Sequence, residues 1–257
     1  MSSKTCAIGL YKYFSGDIGA EDFRKFYEQS NSIFKNLGIQ PTYFAVEGKG
    51  YRGDLKKYKG SVHSKVVKSG FSDINVMSIV ANPEGSEAPG YDSYASISLG
   101  YVKELNELIL SFCVDDRFLE FGSTIFENIL EMLLSLHSWD YGFGFVQESE
   151  KKPEFHILGL DDGKLVPEER KKLNAWYASL PEDRTNKIRD LYPYNILNKN
   201  QLSHKVSPEL SLEKYILKDT NTSLRKVKDG DIWIWKISGS ELEDVRRILE
   251  DANILII

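Results

Sequence analysis

Hydrophobic positions along this chain alternate between a period of two and a period near 3.6, and the switches mark out secondary structure. The clearest switches fall between Glu107 and Gln147. Leu108-Ile109-Leu110-Ser111-Phe112-Cys113-Val114 is a short apolar run of strand-forming residues. Apolar residues then recur at Ile125, Phe126, Ile129, Leu130, Leu133 and Leu136, an apolar stripe along one helix face. Thr124 is the expected cap, with Glu127 three residues on to close a capping box. From Tyr141 to Val146 the period returns to two. Aromatics there alternate with Gly142 and Gly144, whose bare face lets another backbone approach.

The same reading extends in both directions. Cys6 to Phe14 is a strand, and Gly16, Asp17 and Gly19 form a turn. Phe23, Phe26, Tyr27, Ile33, Phe34 and Leu37 line a helix that stops at Gly38, and Pro41 to Val46 is a second strand. A β-α-β opening follows. Asp73 to Asn82 and Tyr91 to Val102 are further strands, the latter with Tyr94, Ser96, Ser98 and Gly100 on one face. Lys103 to Asn106 is a hairpin-length connection. Consecutive hairpins between helical crossovers predict an α+β fold: a mixed or antiparallel sheet of five or six strands with helices packed on one face.

After Gln147 the composition turns polar. We expect residues 1–147 to form one α+β domain, residues 148–188 a polar, largely helical connector, and residues 189–257 a smaller C-terminal α+β module. Phe155 to Leu160 reads as a short strand or turn. Pro167 and Pro181 suit first helical positions. In the module, Ser207-Pro208 is an expected cap for a helix through Leu212, Tyr215 and Ile216. Asp229-Gly230 marks a hairpin turn between Leu224–Val227 and Ile232–Ile237. Ser240 is an expected cap with Glu243 at the box position, and the apolar end from Ile254 to Ile257 is expected to pair as a strand.

Composition adds limits. With 257 residues, 41% hydrophobic and 28% charged, the chain has the make-up of an ordinary globular protein. Its net charge of −5 provides no global attraction to nucleic acid or acidic membrane. No run approaches the ~20 apolar residues of a membrane span. Met1-Ser2-Ser3-Lys4 leads into a strand without a cleavage pattern, so a cytoplasmic setting is expected. Cys6 and Cys113 sit inside apolar runs and read as buried thiols, with a cross-strand disulfide as the alternative.

One segment departs from the acidic average. From Glu47 to Gly70, Lys49, Arg52, Lys56, Lys57, Lys59, Lys65 and Lys68 face only Glu47 and Asp54, a local +5 that leaves −10 on the rest of the chain. Tyr51 and Tyr58 lie among these cations. The segment is either a solvated loop with a surface helix or a patch for phosphate, RNA or an acidic protein. As a phosphate site it would use Lys49, Arg52, Lys56, Lys57 and Lys59.

Catalytic signatures are not found. The chain has no phosphate-binding loop, dinucleotide fingerprint, nucleophile elbow or kinase set, and no cofactor or metal site is expected. His63, His137, His156 and His204 form no pair at ligand spacing. Asp115-Asp116 and Asp161-Asp162-Gly163 read as strand-end turns, although a dispersed site near Asp115, Asp116 and His156 stays open as a third reading. Trp233 and Trp235 share a strand face, either as core or as a stacking platform.

The C-terminal third, through Arg189-Asp190-Leu191-Tyr192-Pro193-Tyr194-Asn195, Gln201-Leu202, Trp233-Ile234-Trp235 and Val245-Arg246-Arg247-Ile248-Leu249, resembles a module of bacterial proteins found in toxin–immunity gene pairs. Residues 1–147 look like α+β immunity proteins in layout. The resemblance implies a non-catalytic inhibitor that binds a cognate toxin, and it assigns no functional residues. An acidic surface complements a basic nuclease-type toxin. The acidic residues expected to make it are Glu148, Glu150, Glu154, Asp161, Asp162, Glu168 and Glu169. A nucleic-acid-associated or defence protein using residues 49–68 is the second reading.

Overall fold

The computed structural model describes residues 3–13, 16, 18–86, 93–103, 105–161, 163, 165–219, 222–227 and 231–256. Phe14, Asp17, Tyr91, Glu104, Asp162, Asp229, Gly230 and Ile257, invoked above, lie outside them. The chain divides into two compact units: Met1–His137 with Val146–Glu154, and Ser138–Phe145 with Phe155–Ile257.

In the first unit, β1 (Lys4–Tyr13) leads into α1 (Ala20–Asn36), β2 (Tyr43–Gly48), β3 (Tyr51–Arg52), β4 (Lys56–Lys57) and α2 (Ser61–Lys68). Then come β5 (Ile74–Ala81), β6 (Ala95–Val102), β7 (Glu107–Asp115) and α3 (Thr124–Leu134). The strands lie in the order β1-β7-β6-β5-β2-β3, with β4 also on β2, and every neighbouring pair is antiparallel. Antiparallel steps from β1 through β7, β6 and β5 leave β2 parallel to β1. The expected β-α-β opening is therefore present, with three strands between its two arms. The meander β5-β6-β7 fills that gap on the way back.

The α+β class holds, but the sheet is larger than expected. Seven strands are described in this unit, because β3 and β4 are two residues each and too short to show a period. α1 lies against β5, β6 and α3. Asp22 accepts from the Gly19 N–H at its start (3.0 Å), and its end closes at Gly38, with the Ile39 N–H on Phe34 O (2.9 Å). Its buried face is Phe23, Phe26, Ser30, Ile33 and Phe34. Burying each of the larger apolar side chains contributes about 1.5–3 kcal/mol. The cap of α3 is Ser123, whose hydroxyl accepts from the Phe126 N–H (3.2 Å), one residue earlier than expected, and Ile125 turns outward at 53% exposure.

The pairing gives this sheet two unlike faces. Cys6, Ile8 and Leu10 align with Val114, Phe112 and Leu110, and these with Ala95, Ile97 and Leu99. The next residue in each strand faces the other way, so Ala7 and Gly9 align with Cys113 and Ser111, and these with Ser96 and Ser98. One face is large and apolar; the other is small and rich in hydroxyls. Cys6 and Cys113 lie on opposite faces as free buried thiols, which rules out the disulfide.

The chain passes through β8 (Tyr141–Glu148) and α4 (Pro153–Leu158) into the second unit, so Phe155 to Leu158 is helical, contrary to the strand or turn expected. Pro153 opens that helix, and a fixed proline φ suits a first helical turn. α5 (Pro167–Ala178) and α6 (Pro181–Asn186) begin at their prolines as expected. β9 (Tyr194–Asn198), α7 (Lys199–Ser203), β10 (Lys205–Ser207), β11 (Leu210–Ser211), α8 (Leu212–Lys218), β12 (Ser223–Lys226), β13 (Ile232–Lys236) and α9 (Leu242–Asp251) complete it. Its sheet runs β12-β13-β9-β8, antiparallel throughout.

Two expected caps move. Ser211 caps α8 and accepts from the Lys214 N–H (3.4 Å), while Ser207 is part of β10. α9 starts after Glu241, and Ser240 bonds Ser238 instead (2.9 Å). Leu255 forms a single parallel bridge with Ile188, and Ile254 and Ile256 are buried, so the described part of the apolar end packs inward and pairs at one residue, short of the strand expected. Trp235 is fully buried, and Trp233 is partly exposed beneath the Lys226 ammonium (5.3 Å). Among the described residues, no helix is long and apolar enough to cross a membrane.

Gly48 marks a bulge between β2 and β5, where a Cβ would lie 2.0 Å from Asp73 O and 2.9 Å from Ile74 Cα. Relief requires the backbone to move. Gly48→Ala is expected to cost about 2 kcal/mol in urea unfolding, whereas Gly85→Ala, with open space around it, costs only its strain at φ +78°. Equal losses in the two variants would contradict the crowding.

Candidate functional site

Glu154 points its carboxylate into the hydroxyl-rich face of the first sheet. Ser98 and Ser111 donate to its Oε1 at 3.3 and 3.5 Å, and Ser96 donates to Oε2 at 3.5 Å. The Ser78 and Ser98 hydroxyls are 2.8 Å apart behind them. Ser96 and Ser98 come from β6, Ser111 from β7 and Ser78 from β5, and register places all four on one face. All three contacts to the carboxylate are long, so they offset only part of its lost hydration. Burial raises the Glu154 pKa above the usual carboxylate range, against the pull of Ser98, Ser111 and Ser96. Cys113 lies beside it, and burial and then the Glu154 charge hold its thiol well above the ordinary value, which makes it a poor nucleophile. Burial, with Asp116 and Asp115 nearby, pushes Cys6 up to about 12.

Of the other acidic residues singled out from the sequence, Glu148 and Glu150 are exposed in the first unit. Asp161, Glu168 and Glu169 belong to the second. Asp161 accepts from the Gly163 N–H (2.8 Å) and from Arg170 Nε (2.6 Å), which hold its carboxyl below the usual range. Glu169 accepts from the Val166 N–H at the start of α5 (3.2 Å). Glu168 is exposed. Asp115 accepts from Arg117 Nε and Nη2 (2.8 and 3.0 Å). Burial opposes its ionisation, but those bonds keep its pKa low.

The cations at 49–68 gather on β3, β4, α2 and the turns between them, and all seven are exposed. Lys56 reaches Asp54 (3.3 Å), while Lys65 donates to Gly50 O (3.2 Å) and covers the Tyr51 ring (4.5 Å). Tyr58 is turned inward. Its hydroxyl donates to Asn31 Oδ1 and lies 3.2 Å from Tyr27 OH, which bonds His63 Nε2 (2.8 Å). Phe44 and Phe71 flank this group. Burial, then Lys59, lowers the His63 pKa.

The run Arg189–Asn195 works within the second unit. The Arg189 guanidinium lies 5.5 Å from the Phe143 ring and 5.4 Å from Trp176, and its Nη1 donates to Ile157 O (3.3 Å). Asp190 accepts from Arg246 of α9 (2.8 Å) and Lys172 of α5 (3.5 Å). Tyr192 stacks on Phe143 (4.2 Å) and bonds His156 Nε2 (2.8 Å). Asn195 accepts from the Tyr192 N–H (3.1 Å) and donates back to Tyr192 O (2.6 Å). His156 is enclosed, and burial, then Arg189, lowers its pKa well below the usual value. Sequence reasoning missed this junction, in which one short run ties α5, α9 and β8 together. No group of three metal-ligating side chains occurs among the described residues.

No family model matches the chain, and no curated protein matches it. Among solved structures, it is similar to the Pseudomonas aeruginosa T6SS protein PA0821. The match has a TM-score of 0.64 and 12% identity, over 99% of this chain and 74% of that one. At that identity the likeness is one of fold.

Two titrations follow with opposite signs. The raised Glu154 value contributes stability that is present below the unfolded-state value of about 4.3 and lost as pH rises through the folded one. Glu154→Gln should therefore melt higher than the parent at pH 8, with the gap closing towards pH 4. A variant equally destabilised at both pH values would contradict this. The lowered His156 value works the other way: stability is full above the unfolded value of about 6.5 and falls as pH drops towards the folded one. The loss in melting temperature between pH 7 and pH 5 should be smaller in His156→Gln, and an unchanged slope would remove His156 as the cause.

Proposed function

We propose that this chain is a secretion-system-associated binding protein of the immunity type, one that holds a cognate toxin in an inactive complex and performs no catalysis. The observation that carries this reading is the match of fold over 99% of the chain to a protein described as belonging to the T6SS. The sequence resemblance of residues 189–257 to modules of toxin–immunity pairs points the same way. The chemistry of the interior is compatible with it. The buried thiols are held protonated, His156 is enclosed in an aromatic cluster, and the buried Asp115 carboxylate is bonded to Arg117. These groups hold the fold in place. A rigid scaffold of this kind presents an exterior of fixed shape, which lowers the ordering cost of binding.

The test is co-expression with the product of the neighbouring gene in the native genome. The two proteins are expected to co-purify at a fixed stoichiometry, and cells expressing that product alone should be growth-inhibited until this chain is supplied. Absence of both the complex and the rescue would refute the reading. So would turnover of a small substrate by the purified chain, abolished by a single side-chain replacement.

A further inference from the structure

Charges that are already paired inside a molecule contribute little to binding another one, because the partner must first displace the internal contact. By that criterion the two charged regions differ. In the acidic set, Glu154 sits among serines, Asp161 holds Arg170 and the Gly163 N–H, and Glu169 holds a helix start, which leaves only Glu148 in the first unit and Glu168 in the second exposed and unengaged among its described members. In the basic set, Lys56 and Lys65 are engaged. Lys49, Arg52, Lys57, Lys59 and Lys68 are exposed and make no ion pair with any described carboxylate. They are concentrated within two short strands, one two-turn helix and the adjoining turns at the β2 edge of the first sheet.

We infer that this basic edge, rather than the acidic residues 148–169, is the charged docking surface of the first unit, and that it takes a protein partner with a carboxylate-rich patch. The inference rests on the protein-binding function proposed above and names the partner's chemistry.

Two observations favour a protein over a nucleic acid. Single-strand binders stack bases on free aromatic rings, but here Tyr51 lies under Lys65 and Tyr58 is bonded to Asn31 and Tyr27. Nucleic acid also carries charge continuously along its length, and the −10 on the rest of the chain repels whatever extends past this patch. A compact carboxylate cluster meets the five free cations without that penalty, and steering by such a patch speeds encounter at low salt.

The probes are a fluorescein-labelled deca-glutamate peptide and a labelled deca-thymidylate, titrated against the full chain by anisotropy at low salt. Two variants carry the same change in net charge: Lys57→Glu with Lys59→Glu on the basic edge, and Lys214→Glu with Lys218→Glu, both exposed lysines of α8. The peptide is expected to bind the parent more tightly than the oligonucleotide does. Its affinity should fall roughly tenfold or more in the edge variant and less than about twofold in the α8 variant. Equal losses in both variants, no loss in the edge variant, or no binding to the parent would overturn the proposal. Oligonucleotide binding as tight as the peptide's through the same lysines would also overturn it and assign the edge to phosphate. The functional reading fails separately. If the neighbouring gene product binds the parent and the edge variant alike, the function stands and this surface does not. If that product binds neither, the function falls, while the peptide titration still decides the chemistry of the edge.

Discussion

The register of β1, β7, β6 and β5 is the constraint on which the first unit depends. A one-residue slip in any of these ladders would exchange the two faces of the strand concerned. The large side chains of β6 and β7, Leu99, Ile97, Leu110 and Phe112, would then meet Glu154, and Ser96, Ser98 and Ser111 would face the opposite layer. Neither outcome is tolerable: a carboxylate against leucine loses its donors, and serines in an apolar layer lose their partners. The alternation of large and small residues therefore specifies the pairing more tightly than hydrophobicity alone, since almost every residue of β1 and β7 is buried, on both faces.

The second unit solves the same problem differently. Its sheet is four strands wide, and much of its unit is short helices. A layer of that size needs ties between elements that do not pair. Arg189, Asp190, Tyr192 and Asn195 supply them within seven residues, through cation–π contact, a two-cation carboxylate, a stacked hydrogen-bonded ring and a side-chain-closed turn. This gives a physical reason for the run from Arg189 to Asn195, on which the expected resemblance to toxin–immunity modules partly rests. Its residues hold the unit's shape, so a resemblance there speaks for architecture and leaves the contact surface to be found elsewhere.

The legible parts of the sequence were those where a period is long enough to count. β1, β5, β6, β7, α1 and α3 follow from alternation or helical spacing, and α5 and α6 from a proline at the first turn. What escaped was short or non-local. β3 and β4 have two residues each, and α4 has six in a stretch that looked extended. The caps at Ser123 and Ser211 were displaced because neighbouring residues, Thr124 and Ser207, offered equivalent hydroxyls. A glutamate in a polar run normally lies on the surface, which is why the sequence points Glu154 to an acidic exterior. A signal to the contrary did exist, in the three serines at strand centres otherwise filled with leucine, isoleucine and phenylalanine. Hydroxyls at such positions need a partner, and in a single sequence that partner cannot be located.

The same reasoning separates charge counted from charge available. By composition the molecule is acidic, and composition alone directs attention to its carboxylates. Once the fold is in place, carboxylates reach helix starts, turn amides and arginines within their own unit, because those donors are close and oriented. Among the cations of residues 49–68, Lys56 reaches Asp54 and Lys65 reaches Gly50 O, while Lys49, Arg52, Lys57, Lys59 and Lys68 make no ion pair with a described carboxylate, since the nearest acids are few. A minority charge placed on an edge can thus be the more available one. On the proposal made for the basic edge, such a charge would favour an anionic patch small enough to fit within it.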